Sequence, residues 1–186
     1  MINAPQLSTN PLFFYFALLI VLFICAVFDY RFRRIPNFLT FPTLITAITF
    51  HFLSAGTNGL LFSTMGMLTA FALFLIPYAT GGMGAGDVKL MSAVGAALGW
   101  KNTLISILFI TLTGGVIALL LTIRRKTLKR TLRLFFSSSI LLLTQGHLSN
   151  VSFKDPKLKS AGVPYGVAIA TGVYLFFTYS FIATAN

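Results

Sequence analysis

The chain has 186 residues and a formal net charge of +11, yet only 9% of its residues are charged, while 56% are hydrophobic and 15% aromatic. A soluble globule of this size needs a charged surface, so the composition excludes one and points to a single all-α integral membrane domain over 1–186. The positive balance does not point to nucleic acid as a partner, because the basic residues cluster between apolar runs, where topology and anionic membrane lipid account for them.

Met1 to Pro11 holds no Lys or Arg, so it lacks the basic start of a cleavable signal, and the first span is expected to remain in the protein. That span is 12–28, about 25 Å long as a helix, with Asp29 at its end. Arg31, Arg33 and Arg34 follow, and Ile35-Pro36-Asn37 restarts the chain, since proline tolerates a helix's first turn. The second span runs over 38–53, Ser54 to Gly59 form an uncharged turn, and the third span is 60–79. Then comes GGMGAGDVK, Gly81 to Lys89, followed by a helix over 87–99 that at about 20 Å is short for a full crossing. A crossing by this helix requires the Asp87 end to lie below the membrane surface or at a thinned place in the bilayer. Trp100, Lys101 and Asn102 make an interfacial turn, and 103–123 is the fifth span. A basic loop over about 124–160 contains Leu134 to Thr144, too short to cross and expected at the interface, and 163–183 is the sixth span, with Pro164 in its first turn.

Alternating the loops across the membrane, with the N-terminus outside, places thirteen of the fourteen Lys and Arg residues on the cytoplasmic side and only Lys101 opposite. This asymmetry predicts six transmembrane helices with both termini on the non-cytoplasmic side. Asn150-Val151-Ser152 has the form of a glycosylation site, but it falls on the cytoplasmic side and is set aside. The single cysteine, Cys25, supports neither an intrachain disulfide nor a cysteine metal site, and no Cys/His cluster has zinc spacing, so no metal or cofactor is expected.

The three acidic residues are Asp29, Asp87 and Asp155. The topology puts Asp29 and Asp87 at one depth, at the cytoplasmic ends of the first and fourth spans, where an ionisable side chain is costly and each is the other's natural partner. Two neighbouring carboxylates share one proton, leaving one as general base and the other as general acid for a water attacking a peptide carbonyl. Helix polarity favours Asp87 as the base, because Asp87 begins a helix and Asp29 ends one. Gly84 and Gly86 lack Cβ atoms and suit a sharp bend that an extended peptide can approach. GGMGAGDVK lacks the spacing of either glycine-rich phosphate loop, and Lys89 is placed to orient a substrate carbonyl or to anchor its helix at the lipid surface.

Asp29 with Ile35-Pro36-Asn37, Gly84-Ala85-Gly86-Asp87-Val88-Lys89, and Val163-Pro164-Tyr165-Gly166 with Ala168-Ile169 together resemble, in order, the motifs of the type IV prepilin peptidases. These are the bacterial leader peptidases of the GxGD aspartic class. The resemblance implies a six-helix peptidase of the bacterial inner membrane that removes the short basic leader of prepilin or pseudopilin substrates at the cytoplasmic face. It implies Asp29 and Asp87 as the catalytic pair, with Gly84, Gly86, Lys89, Pro36, Asn37, Pro164, Tyr165 and Gly166 shaping the site. The chain is most similar to the minimal peptidases of tight-adherence (Flp) pilus systems. Larger members carry a four-cysteine zinc region associated with N-methylation of the cleaved subunit, so the lone Cys25 implies cleavage without methyl transfer. Two other classes compete: a proton-coupled transporter using the same aspartates, and a non-catalytic assembly subunit of a pilus or secretion apparatus. Asp155, between Lys154 and Pro156, is expected to be dispensable.

Overall fold

A computed structural model of the chain describes residues 11–79, 82–124 and 165–185, and among these residues every regular element is helical. Four helices follow one another: α1 (Pro11–Phe32), α2 (Asn37–Ala79), α3 (Ala85–Arg124) and α4 (Tyr165–Ala185). All four are long and apolar enough to cross a membrane, and their outer faces carry large apolar residues such as Phe13, Leu53, Leu108 and Phe181, as lipid contact requires. The chain is an all-α membrane protein. The expected segments at 134–144 and 124–160, the residues Pro164 and Asp155, and the start of the sixth span lie wholly or partly outside the described residues.

Two of the four helices are broken by a kink. α2 breaks at Ala55 and Gly56, inside the Ser54–Gly59 stretch, where Gly56 takes a φ of 58°. α3 breaks at Gly99, with a φ of 72° that a side chain rarely adopts. The break comes one residue before the expected turn, so Trp100, Lys101 and Asn102 open the second arm of α3 instead of connecting two helices. Each broken helix therefore has two arms, 37–54 with 57–79 and 85–98 with 100–124.

The arm over 85–98 is the centre of the molecule. From Leu90 to Leu98 every residue is buried, so this arm meets protein on all sides and has no lipid face to match to bilayer thickness. Its Ala and Gly content lets neighbours come close. A Cβ on Gly66 would strike the carbonyl of Gly95, and one on Gly95 would strike that of Gly66.

Because the arm stops at Gly99, its last carbonyls have no partner within the helix. Two side chains from α2 supply donors: Ser63 Oγ donates to Ala96 O at 2.9 Å, and His51 Nε2 donates to Ala97 O at 3.0 Å. That bond fixes the His51 tautomer with the proton on Nε2. The remaining helices are tied in similarly. Tyr174 Oη donates to Leu19 O at 2.8 Å and Thr113 Oγ1 to Ala168 O at 3.1 Å, which fastens α4 to α1 on one side and to α3 on the other.

His51→Leu removes the donor to a buried helix end and is expected to cost about 1–3 kcal/mol of stability. Gly95→Val forces the 57–79 arm away and is expected to cost about as much or more. Both should lower the melting temperature of the purified protein, whereas Leu108→Val, on the lipid-facing side, should leave it nearly unchanged.

Candidate active site

Asp29 lies in the last turn of α1, and the helix ends three residues later, at Phe32, for a local reason. Arg33, at a φ of 54°, donates its N–H to Asp29 O at 2.9 Å, the left-handed cap that closes a helix C-terminus. The chain then needs only Arg34, Ile35 and Pro36 before α2 begins at Asn37. This short link is pressed against the start of α3. A Cβ on Gly86 would sit 3.1 Å from Ile35 Cβ, so Gly86 is a glycine because Ile35 occupies its face. The open surface expected at Gly86 is thus filled by the protein's own loop.

Three residues further on, Lys89 Nζ donates to Asn37 Oδ1 at 3.1 Å and lies 5.3 Å from the Phe41 ring centroid. Lys89 therefore joins the start of α2 to the start of α3. Pro36 and Asn37 do their part by placing α2 where Lys89 can reach it.

Asp87 is the third residue of its helix, with Gly84 just before the helix start. Its Oδ2 accepts the Gly84 N–H at 3.1 Å, while Gly84 O accepts the N–H of Asp87 at 3.1 Å. The carboxylate reaching back to the Gly84 N–H is one half of a capping box, with Asp in place of Glu; Gly84 has no side chain to supply the other half, and its backbone carbonyl takes the Asp87 N–H instead. Asp87 Oδ1 is buried and has no hydrogen-bond partner among the described residues.

The two carboxylates are brought together by α4. Gly166, second residue of that helix, donates its N–H to Asp29 Oδ2 at 2.7 Å. The Val167 amide also bonds the Asp29 carboxylate, and the Arg33 guanidinium faces it. Asp29 thus occupies the N-terminus of α4, where unpaired amides and the positive end of the helix dipole stabilise an anion. A Cβ on Gly166 would fall 2.8 Å from Asp29 Cβ and 3.0 Å from its Oδ2, so any side chain there must displace the carboxylate. Tyr165, one residue earlier, lies within charge range of Asp87, and Asp87 within charge range of Asp29.

Both aspartates are buried, at 7% and 8% exposure, in an end of the bundle that is otherwise lined by exposed arginines. Asp29, Asp87, Gly84, Gly86, Lys89, Pro36, Asn37, Tyr165 and Gly166 all gather there. Pro164 is the one expected site residue outside the described residues. No cluster of three His, Cys, Asp or Glu side chains able to hold a metal occurs among the described residues. Ile35 is the participant that sequence reasoning passed over; its place beside Pro36 in the Asp29 motif was the available signal. The arrangement can polarise a water between two carboxyl groups and, on the opposite side of an attacked carbonyl, offer a proton.

The chain is 32% identical over 115 residues to the prepilin leader peptidase/N-methyltransferase of Escherichia coli (strain K12), an alignment that covers 58% of this chain and 49% of that protein. The chain therefore spans about half the length of the curated relative it matches. No solved structure matches. The profile of the type IV leader peptidase family matches residues 16–119, which hold both aspartates and the whole of the Asp29 and Gly84–Lys89 motifs, and the chain belongs to that family.

Proposed function

We propose that the protein is an aspartic endopeptidase that removes the short basic leader of type IV prepilin-like substrates at the cytoplasmic face of the bacterial inner membrane. The observation that carries this reading is the gathering of Asp29 and Asp87, two of only three acidic residues in the chain, at one end of the bundle, with Asp29 bonded to the start of α4 and Asp87 within charge range of it. In this reading the six helical arms are six spans, and both termini lie on the non-cytoplasmic side, so the aspartates open toward the cytoplasm.

The chemistry follows from the pair. One carboxylate withdraws a proton from water, the resulting hydroxide adds to the scissile carbonyl, and the other carboxyl protonates the carbonyl oxygen to give a geminal diol. Collapse of the diol expels the amine, which takes a proton from the first carboxyl, while the second recovers its own from a diol hydroxyl. No covalent intermediate is needed.

The apolar cleft between α1 and α2, lined by Leu18, Val21, Pro42, Ile45 and Phe50 among others, supports a substrate with an apolar segment next to its cleavage site. Val21 is about 12 Å along α1 from Asp29, so such a segment could enter the membrane beside the helix that carries the carboxylate. Cleavage without methyl transfer is the narrower reading. It rests on the single cysteine, which leaves the chain without a four-cysteine zinc region.

Co-expression of a prepilin with wild type, Asp29→Asn, Asp87→Asn and Asp155→Asn tests the dyad: the first two variants should lose cleavage by at least about a hundredfold, and Asp155→Asn should keep it. Retained processing in either dyad variant defeats the proposal. With a radiolabelled methyl donor and cleaved pilin, the purified chain should incorporate no label. For the link between α2 and α3, Lys89→Met and Asn37→Ala should each slow cleavage, and the double variant should be little worse than either single, because both remove one bond.

A further inference from the structure

The two carboxyl groups differ in the company each keeps. Asp29 faces the Gly166 N–H at 2.7 Å, the Val167 amide and the Arg33 guanidinium. These are donors and a permanent cation; each stabilises an anion, and none can accept a proton. Among the described residues Asp87 has one hydrogen-bond donor, the Gly84 N–H at 3.1 Å, and its neighbours in charge range are the Asp29 carboxylate and the Tyr165 phenol. Its Oδ1 is buried with no partner among the described residues. A bare anionic oxygen in that position forfeits its solvation, whereas a protonated one holds an O–H ready for the first acceptor to arrive.

We infer that the first turn of α4 is a positioning element of the reaction, holding Asp29 as the charged, water-activating carboxylate and leaving Asp87 to deliver the Oδ1 proton to the scissile carbonyl. The inference rests on the dyad reading above and reverses the roles that polarity within α1 and α3 alone suggests. In atoms, Asp29 takes one proton of the water as its oxygen bonds the carbonyl carbon, and Asp87 protonates the carbonyl oxygen. When the C–N bond breaks, Asp29 gives its proton to the leaving nitrogen and Asp87 regains one from a diol hydroxyl, so both groups return to their starting states. Gly166 acts through Asp29 and touches no reacting atom.

The scarcity of acidic residues makes the assignment directly measurable. In an Asp155→Asn background, Asp29 and Asp87 are the only side-chain carboxyl groups left. Infrared spectra of the purified full chain at neutral pH, in a detergent without carboxyl groups, should show one protonated-carboxyl stretch. That band should persist in Asp29→Asn and disappear in Asp87→Asn; any other pattern, including no band in the parent, overturns the assignment. A reversed pattern with both variants inactive overturns only the roles, whereas cleavage retained by either variant removes the dyad itself. Gly166→Ala, checked for folding by its melting profile, should lower kcat by roughly ten- to a hundredfold with KM within about twofold, as expected for a misplaced catalytic group. An unchanged kcat, or a raised KM alone, overturns the positioning role. If Gly166→Ala does not fold, the infrared pattern decides alone.

Discussion

The hydrogen bond from the Gly166 amide to Asp29 is the contact on which the site's architecture turns. It joins residues 137 positions apart and brings α4 between two helices that each carry one carboxylate. A buried carboxylate is costly unless donors surround it, and here the donors are the amides at the start of a helix, which need an acceptor of their own. Each group satisfies the other's deficit. Such a contact needs a residue without a side chain at the point of closest approach, and Gly166 is that residue.

A second constraint operates at the opposite end of the central arm. The short arm over 85–98 is enclosed by protein, and its unpaired carbonyls at Ala96 and Ala97 are met by Ser63 and His51. The far end of the arm is therefore held, so Asp87 at the near end is placed by a rigid element and by its own capping bond to Gly84. Catalytic groups mounted on packed helices keep their geometry better than groups on loops. The glycine-rich segment before Asp87 supplies a helix start more than it supplies freedom.

Much of this was legible in the sequence because it is local. Glycine at 56 and 99 marks the two breaks, and the Gly84–Lys89 and Asp29–Asn37 motifs contain the cap and the turn that present the carboxylates. The shortness of the arm after Asp87 was visible too, though its cause, burial on every side, is a property of the neighbours. What could not be read is long-range: Ile35 against Gly86, Lys89 bonded to Asn37, and above all Asp29 at the start of α4. Local polarity counts one helix per aspartate and so misses the third helix, whose dipole acts on Asp29 across space. A motif at the entry to the last helix was recognisable, but nothing in its spacing says which carboxylate its amides face.

The way the chain is threaded through the site gives the three contributing helices unequal standing. α1 and α3 are each leashed to α2 by only a few residues, so neither can move far without dragging α2 along. α4 instead meets Asp29 and α1 through contacts between residues distant in sequence, the Gly166–Asp29 and Tyr174–Leu19 bonds among them. Short links thus tie both carboxylate-bearing helices to α2, while α4 reaches Asp29 by a bond across 137 positions of sequence. The assembled site is in this sense a quaternary-like interface written within a single polypeptide.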